Sequence, residues 1–176
     1  MTTWRRGGLV IWRSGPLGWG GRVATATSGG LLLGVLTNLA QGWLPGAWNQ
    51  IANSGAVWCS AAFAVGALLD RLRPLWQAAL GGLGAEVGLV VGYYGYAEFG
   101  RDGAGSLFFP LIWLGMAMVA GPLFGVAGHW WRHHRDARRR VLGLAAFAGV
   151  LGMEGLCTPG TSTTRHRRGR VSHSPS

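Results

Sequence analysis

Long apolar segments alternate along this chain with short polar segments that carry nearly all of its charge. Five apolar segments stand out, at residues 23–44, 51–69, 75–96, 107–129 and 141–157. Of the 22 charged residues in the chain, only Glu86 and Glu154 lie inside them. A bilayer imposes this segregation, because a charged side chain near its centre is costly. The pattern predicts an all-α fold: a polytopic membrane helix bundle of about five transmembrane helices.

The fourth apolar segment shows the membrane pattern most clearly. As a helix, residues 107–129 would extend over roughly 34 Å, which is enough to cross a hydrocarbon core of about 30 Å. Gly121 and Gly125 have the small-xxx-small spacing of closely packed membrane helices, and Pro122 predicts a kink between them. These three residues are predicted helix-packing positions, and the segment ends in aromatic and basic residues typical of the membrane interface.

The distribution of arginine predicts how the helices are oriented. Eleven arginines lie in the N-terminal segment 1–22, the turn 70–74 and the loop 132–140, whereas the loops 45–50 and 97–106 contain one. Positive charge stays on the cytoplasmic side. We therefore predict a multi-pass protein of the cell membrane with a basic cytoplasmic N-terminal segment, 1–22, and a transmembrane domain, 23–157.

The C-terminal segment 158–176 departs from this pattern, because it is polar and basic and is predicted to be disordered. Five spans from a cytoplasmic N-terminus would place its four arginines outside the cell. Three explanations stay open. The tail is translocated, the fifth segment does not fully cross, or the chain is a six-helix design truncated at its C-terminus.

Composition argues against several classes of function. The net charge of +10 comes from arginine in loops around apolar helices, so a nucleic-acid-binding module is not expected. The chain has no lysine, which excludes a Walker phosphate loop, and no carboxylates paired at a common depth, so we predict no enzyme and no cofactor. His129 and His133 have a metal-ligand spacing, but no Cys or Glu accompanies them, and no metal site is predicted. The loop from Arg132 to Arg140 is instead predicted to contact anionic lipid headgroups.

Glu86 is the strongest functional candidate, because it lies near the middle of the third apolar segment. At about 100° per residue, Gly84, Gly88 and Gly92 form one stripe of the helix while Glu86 points away from it. We therefore predict that the three glycines pack against a neighbouring helix and that Glu86, with Tyr93 on the same face, points to another helix or to a cavity. An intramembrane acid is a functional candidate by default. A protonated Glu86 that makes a structural hydrogen bond is the alternative.

The polar side chains of the segments are concentrated in the predicted outer half of the membrane. They suggest an outward-facing polar pocket between the first, second, third and fifth segments. The ligand-binding residues proposed for it are Glu86, Tyr93, Asn38, Asn53 and Glu154. The alternative is that these side chains satisfy backbone groups at turns and helix ends.

Several short motifs resemble a family of uncharacterised multi-pass membrane proteins from actinobacteria, described as a domain of unknown function. The similarity covers roughly residues 28–156. It rests on Leu44-Pro45-Gly46, Asn53-Ser54, Trp58, Gly92-Tyr93-Tyr94, Gly121-Pro122-x-Phe124-Gly125-x-x-Gly128-x-Trp130-Trp131-Arg132 and Glu154-Gly155. The resemblance implies a membrane helix bundle and brings no activity with it.

Two functional hypotheses follow. The first is a small-molecule binding or transport component that captures its ligand from the outer side. The second is a structural or regulatory membrane protein that associates through its glycine faces, either as a homo-oligomer or with a membrane partner.

Overall fold

The computed structural model describes residues 18–45, 47–52, 54–70, 73–101 and 105–157. Within these ranges the chain forms six α-helices and no strand. They are α1 (Trp19–Trp43), α2 (Ala47–Ala52), α3 (Gly55–Leu68), α4 (Leu75–Gly100), α5 (Phe108–His133) and α6 (Ala137–Cys157). The predicted all-α fold class is confirmed.

Three of the described helices, α1, α4 and α5, are long and apolar enough to cross a membrane. They contain 25 or 26 residues each, which corresponds to nearly 40 Å of helix. The apolar helix α3 has 14 residues and is about 21 Å long, which is less than the thickness of the hydrocarbon core.

The sequence predicts one helix over residues 51–69, and the structure has two helices, α2 and α3, in this part of the chain. Ser54 explains where α3 begins. Its backbone is extended, and its hydroxyl accepts a hydrogen bond from the Val57 N–H at 3.2 Å, so it is the N-cap of α3.

Helices α1 and α4 run parallel and touch through their backbones. Gly30 of α1 lies against Ala85 of α4, and Gly34 lies against Leu89. A Cβ atom at either glycine would overlap the carbonyl oxygen of the residue it faces. Only glycine permits such a close approach between two helices.

The glycine stripe of α4 forms the other half of this contact. Gly88 faces the backbone of Thr27, and Gly92 faces the backbone of Leu31. A Cβ at Gly84 would lie 2.6 Å from the hydroxyl oxygen of Thr27. The neighbour of the stripe is therefore α1.

Helix α5 packs antiparallel to α4 on a different face. A Cβ at Gly121 would lie 2.7 Å from the Cα atom of Leu83, and one at Gly125 would overlap the Ala78 carbonyl. Pro122 lies between these two close contacts, inside an uninterrupted α5. It cannot donate the hydrogen bond that this turn of the helix would otherwise contain.

Helix α3 runs parallel to α5. The rings of Trp58 and Trp113 are 5.0 Å apart toward the N-terminal ends of the two helices, and Gly66 meets the backbone of Gly125 further along. All the described helices except the short α2 thus alternate in direction along the chain.

Helix α6 contacts the bundle along a single stripe. Gly143 packs against the backbone of Ala127, and Phe147 stacks on Phe63 with ring centroids 4.7 Å apart. Val150 and Glu154 continue this stripe at helical spacing. The rest of α6 is mostly exposed.

The alternation brings all the described arginines except Arg101 to one end of the bundle. Arg22 and Asp70 form an ion pair at 3.3 Å there, between the start of α1 and the turn after α3. The other basic side chains described at this end are Arg73, Arg132, Arg135, Arg138, Arg139 and Arg140. The opposite end of the bundle has one described arginine, Arg101.

Candidate ligand-binding cavity

A cavity of about 650 Å³ lies between α3, α4, α5 and α6. Most of its wall is apolar and is built from small and aromatic side chains. These residues are Gly55, Ala56, Trp58, Val90, Trp113, Met116, Ala117, Ala120, Phe124, Ala145, Ala146, Gly149, Val150 and Met153, and the remaining lining residues are Cys59, Glu86 and Glu154. This volume and this composition are typical of sites for small molecules.

Glu86 is buried in the wall of the cavity and is incompletely hydrogen-bonded. Its exposed fraction is 3%, and its Oε1 atom has no hydrogen-bond partner within the described part of the chain. The indole N–H of Trp58, which is also 3% exposed, lacks a partner in the same way. Buried polar atoms are nearly always hydrogen-bonded, so an acceptor and a donor without partners in one cavity wall mark this wall as a candidate binding site.

Glu154 joins α6 to the start of α3 at the edge of the cavity. Its Oε2 atom accepts hydrogen bonds from the Ser54 hydroxyl at 2.5 Å and from the Ala56 N–H at 2.9 Å. The backbone N–H groups of the first helical turn have no partner within their own helix, and the N-terminus of a helix favours negative charge. Glu154 is therefore both a cavity residue and a contact that fixes α6 to α3.

Aromatic rings pack against one another in this wall and beside it. The centroid of the Trp58 ring lies 5.0 Å from that of Trp113, which also lines the cavity, and 5.4 Å from that of Tyr93, which does not. Leu89 and Val90 of α4 pack against the same group. This packing holds the Trp58 indole in place, and its N–H is the one without a partner among the described residues.

Asn38 and Tyr93 belong to a separate network between α1 and α4. The Asn38 side-chain N–H₂ group donates to the Tyr93 carbonyl at 3.1 Å, and its oxygen accepts from Arg101 at 3.1 Å. The Tyr93 hydroxyl donates to the Gln41 side-chain oxygen at 2.7 Å. Asn38 is 2% exposed, and neither residue lines the cavity. This network fits the alternative reading, in which polar side chains hold the helices together.

The five predicted ligand-binding residues thus divide into groups. Glu86 and Glu154 line one cavity, while Asn38 and Tyr93 hold α1 to α4. Asn53 lies outside the described residues.

The predicted pocket between the first, second, third and fifth segments is corrected in two respects. The fourth segment, α5, contributes to the cavity and α1 does not, because α1 packs on the glycine face of α4 and Glu86 lies on another face. The wall is also mainly apolar rather than polar.

Trp58 and Trp113 were not among the predicted ligand-binding residues. Trp58 lies four residues after the N-cap Ser54, well inside its apolar segment. Tryptophan is more common at the membrane interface than deep in an apolar segment. The unusual position of Trp58 was therefore the sequence signal that could have identified it as a cavity residue.

The predicted resemblance is confirmed at the level of a family. The model of the family of unknown function DUF6518 matches residues 13–166, and the chain therefore belongs to this family. The actinobacterial origin stays a prediction. No curated protein and no solved structure matches the chain.

Proposed function

We propose that this member of the DUF6518 family is a membrane protein that binds a small molecule in the cavity between α3 and α6. The ligand has a largely apolar body and one hydrogen-bond donor, an amine or a hydroxyl, that bonds to Glu86. The observation that carries this proposal is that the buried Oε1 atom of Glu86 has no hydrogen-bond partner among the described residues, in a mainly apolar wall.

The character of the wall supports this ligand class. Van der Waals contact with alanine, glycine and tryptophan suits an apolar body, and a carboxylate gains most from a donor that is itself charged. The Trp58 and Trp113 rings would add a favourable face for an ammonium group. A strongly polar ligand would leave its other polar groups without partners.

The predicted topology supports access from the outer side. The cavity residues of α3 all belong to its first half, most of those of α5 belong to its first half, and most of those of α6 belong to its second half; the exceptions are Phe124, Ala145 and Ala146. With a cytoplasmic N-terminus and alternating spans, all three halves lie toward the outer surface. A binding or transport component that captures its ligand there remains the first functional hypothesis.

The glycine-mediated alternative receives less support. Gly84, Gly88, Gly92, Gly121 and Gly125 all face other helices of the same chain. They are therefore occupied in the fold and are not available to a second copy or to another membrane partner.

A matched pair of probes tests the proposal. The full chain is placed in lipid nanodiscs, and its thermal unfolding midpoint is measured with 2-(2-naphthyl)ethylamine or with 2-propylnaphthalene, which has a methyl group in place of the amine. We expect the amine to raise the midpoint of the wild type more than the hydrocarbon does. Glu86→Gln should lose this difference, and the control Glu98→Gln, at the exposed end of α4, should keep it.

A second pair of variants tests the location. Gly149 lines the cavity, Gly152 does not, and a Cβ at either position meets no atom within 4 Å. Gly149→Leu should weaken the effect of the amine by occupying part of the cavity, whereas Gly152→Leu should retain it. The proposal fails if both probes act alike on the wild type, or if Glu86→Gln responds to the amine as the wild type does.

A further inference from the structure

A second pocket lies at the arginine-rich end of the bundle, away from the Glu86 cavity. It has a volume of about 330 Å³ and is lined by Leu75, His129, His133, His134 and Arg135. These residues come from the start of α4, the last turns of α5 and the segment between α5 and α6. Four of the five can donate hydrogen bonds and none is acidic.

The three imidazoles differ in how their nitrogen atoms are used. His133 Nε2 donates to the Ala67 carbonyl at 3.0 Å, near the C-terminal end of α3. The His134 ring contacts the Asp136 backbone N–H at 3.1 Å and Arg139 at 3.2 Å. His129 is 6% exposed, and its Nδ1 atom has no hydrogen-bond partner among the residues that the structure describes.

This pocket therefore combines a buried, unpartnered imidazole nitrogen with a guanidinium group. Arg135 is exposed at its edge and makes no ion pair with the described residues. The surrounding charge is strongly positive, because seven arginines and two aspartates are described at this end. A phosphate group matches such a site, since it offers several acceptor oxygens and negative charge.

We propose that this pocket binds the phosphate of an anionic membrane lipid. Arg135 donates to the phosphate oxygens, as does the Nδ1–H of a protonated His129 ring, whose Nε2–H donates to the Gly66 carbonyl. Leu75 contacts the apolar part of the lipid. This inference concerns a different site from the proposed function and does not rest on it.

The position of the pocket favours a lipid over a free phosphate ion. It lies at the ends of α4 and α5, two helices long enough to span a bilayer, where the headgroups of a surrounding membrane would be. Trp130 and Trp131 directly follow His129, and tryptophan is enriched at the membrane interface. A lipid can reach such a site by moving within the membrane plane.

Electron paramagnetic resonance with spin-labelled lipids tests the proposal on the full chain. The protein is reconstituted in phosphatidylcholine vesicles, and the association of spin-labelled phosphatidylglycerol is compared with that of spin-labelled phosphatidylcholine. We expect a preference for phosphatidylglycerol of about fivefold, equivalent to roughly 1 kcal/mol.

Two arginine variants separate a specific pocket from general attraction to positive charge. Arg135→Gln and Arg138→Gln remove the same charge three residues apart, but only Arg135 lines the pocket. We expect Arg135→Gln to reduce the preference below about twofold and Arg138→Gln to retain it, because only Arg135→Gln removes a direct charge-assisted hydrogen bond. Equal losses in the two variants, or no preference in the wild type, would overturn the proposal.

A competition arm separates the two sources of phosphate. Inorganic phosphate and sodium chloride are added at equal ionic strength, and we expect them to change the lipid preference equally. If inorganic phosphate alone abolishes the preference, the pocket binds free phosphate, and its assignment to a lipid is wrong.

Discussion

At the scale of single residues, the two acids of the apolar segments, Glu86 and Glu154, have different surroundings and should respond differently to substitution. Glu86 has an open oxygen atom in an apolar wall, whereas Glu154 holds two donors of α3. Substitution of each acid by glutamine therefore tests whether it binds a ligand or holds two helices together.

Glu154→Gln should destabilise the fold by about 1–2 kcal/mol, because its hydrogen bonds to the Ser54 hydroxyl and the Ala56 N–H lose their charge assistance. Unfolding by titration with sodium dodecyl sulfate in mixed micelles measures this change. Glu98→Gln is the control, since Glu98 is exposed in the last turn of α4. An unchanged stability for Glu154→Gln would show that the carboxylate does not hold α6 to α3.

At the scale of helices, the glycines range from those that meet a neighbouring backbone to those that meet nothing. Gly92 and Gly95 represent these two extremes three residues apart on α4. A Cβ at Gly92 would overlap the Leu31 carbonyl, whereas a Cβ at Gly95 has no atom within 4 Å.

Gly92→Ala should destabilise the protein by about 1–3 kcal/mol, because α1 must move away from α4 to accept the methyl group. Gly95→Ala should be neutral, or stabilising by up to about 1 kcal/mol, since alanine is the better helix former. The same detergent titration compares the two variants. Equal effects would contradict the backbone contact between α1 and α4.

The sequence was sufficient to locate the five longer helices but not to identify α2 or to pair the helices. Hydropathy shows how far an apolar segment extends. The angular positions of residues around the predicted helix place Glu86 on a different face from Gly88. Neither shows that the neighbour of Gly88 is α1, because many apolar surfaces could accept a glycine face. The first segment was included in the predicted pocket for this reason: Asn38 has the polarity of a ligand-binding residue, but its side chain bonds to the Tyr93 carbonyl and to Arg101.

At the scale of the whole molecule, the alternating directions of the five longer helices agree with the charge distribution. The basic loops lie at one end of the bundle and the arginine-poor loops at the other. Five crossings with a cytoplasmic N-terminus stay a prediction that agrees with both observations, and under it α3 would cross together with the short helix α2.

Reporter fusions after Pro45, Asp70, Ser106, Arg135 and Cys157 test this topology in the native membrane. We expect outside, inside, outside, inside and outside, in that order. An inside location after Cys157 would show that α6 does not cross, and Glu154 would then lie away from the outer surface. A single location for Pro45 and Asp70 would show that α2 and α3 together do not cross.

The attachment of α6 to the start of α3 has a further consequence. Both hydrogen bonds described for Glu154 end on the same oxygen atom, so one rotation of that side chain breaks them together. A change in the rotamer of Glu154 therefore alters both contacts at once, and it does so where α3 and α6 form two walls of the same cavity.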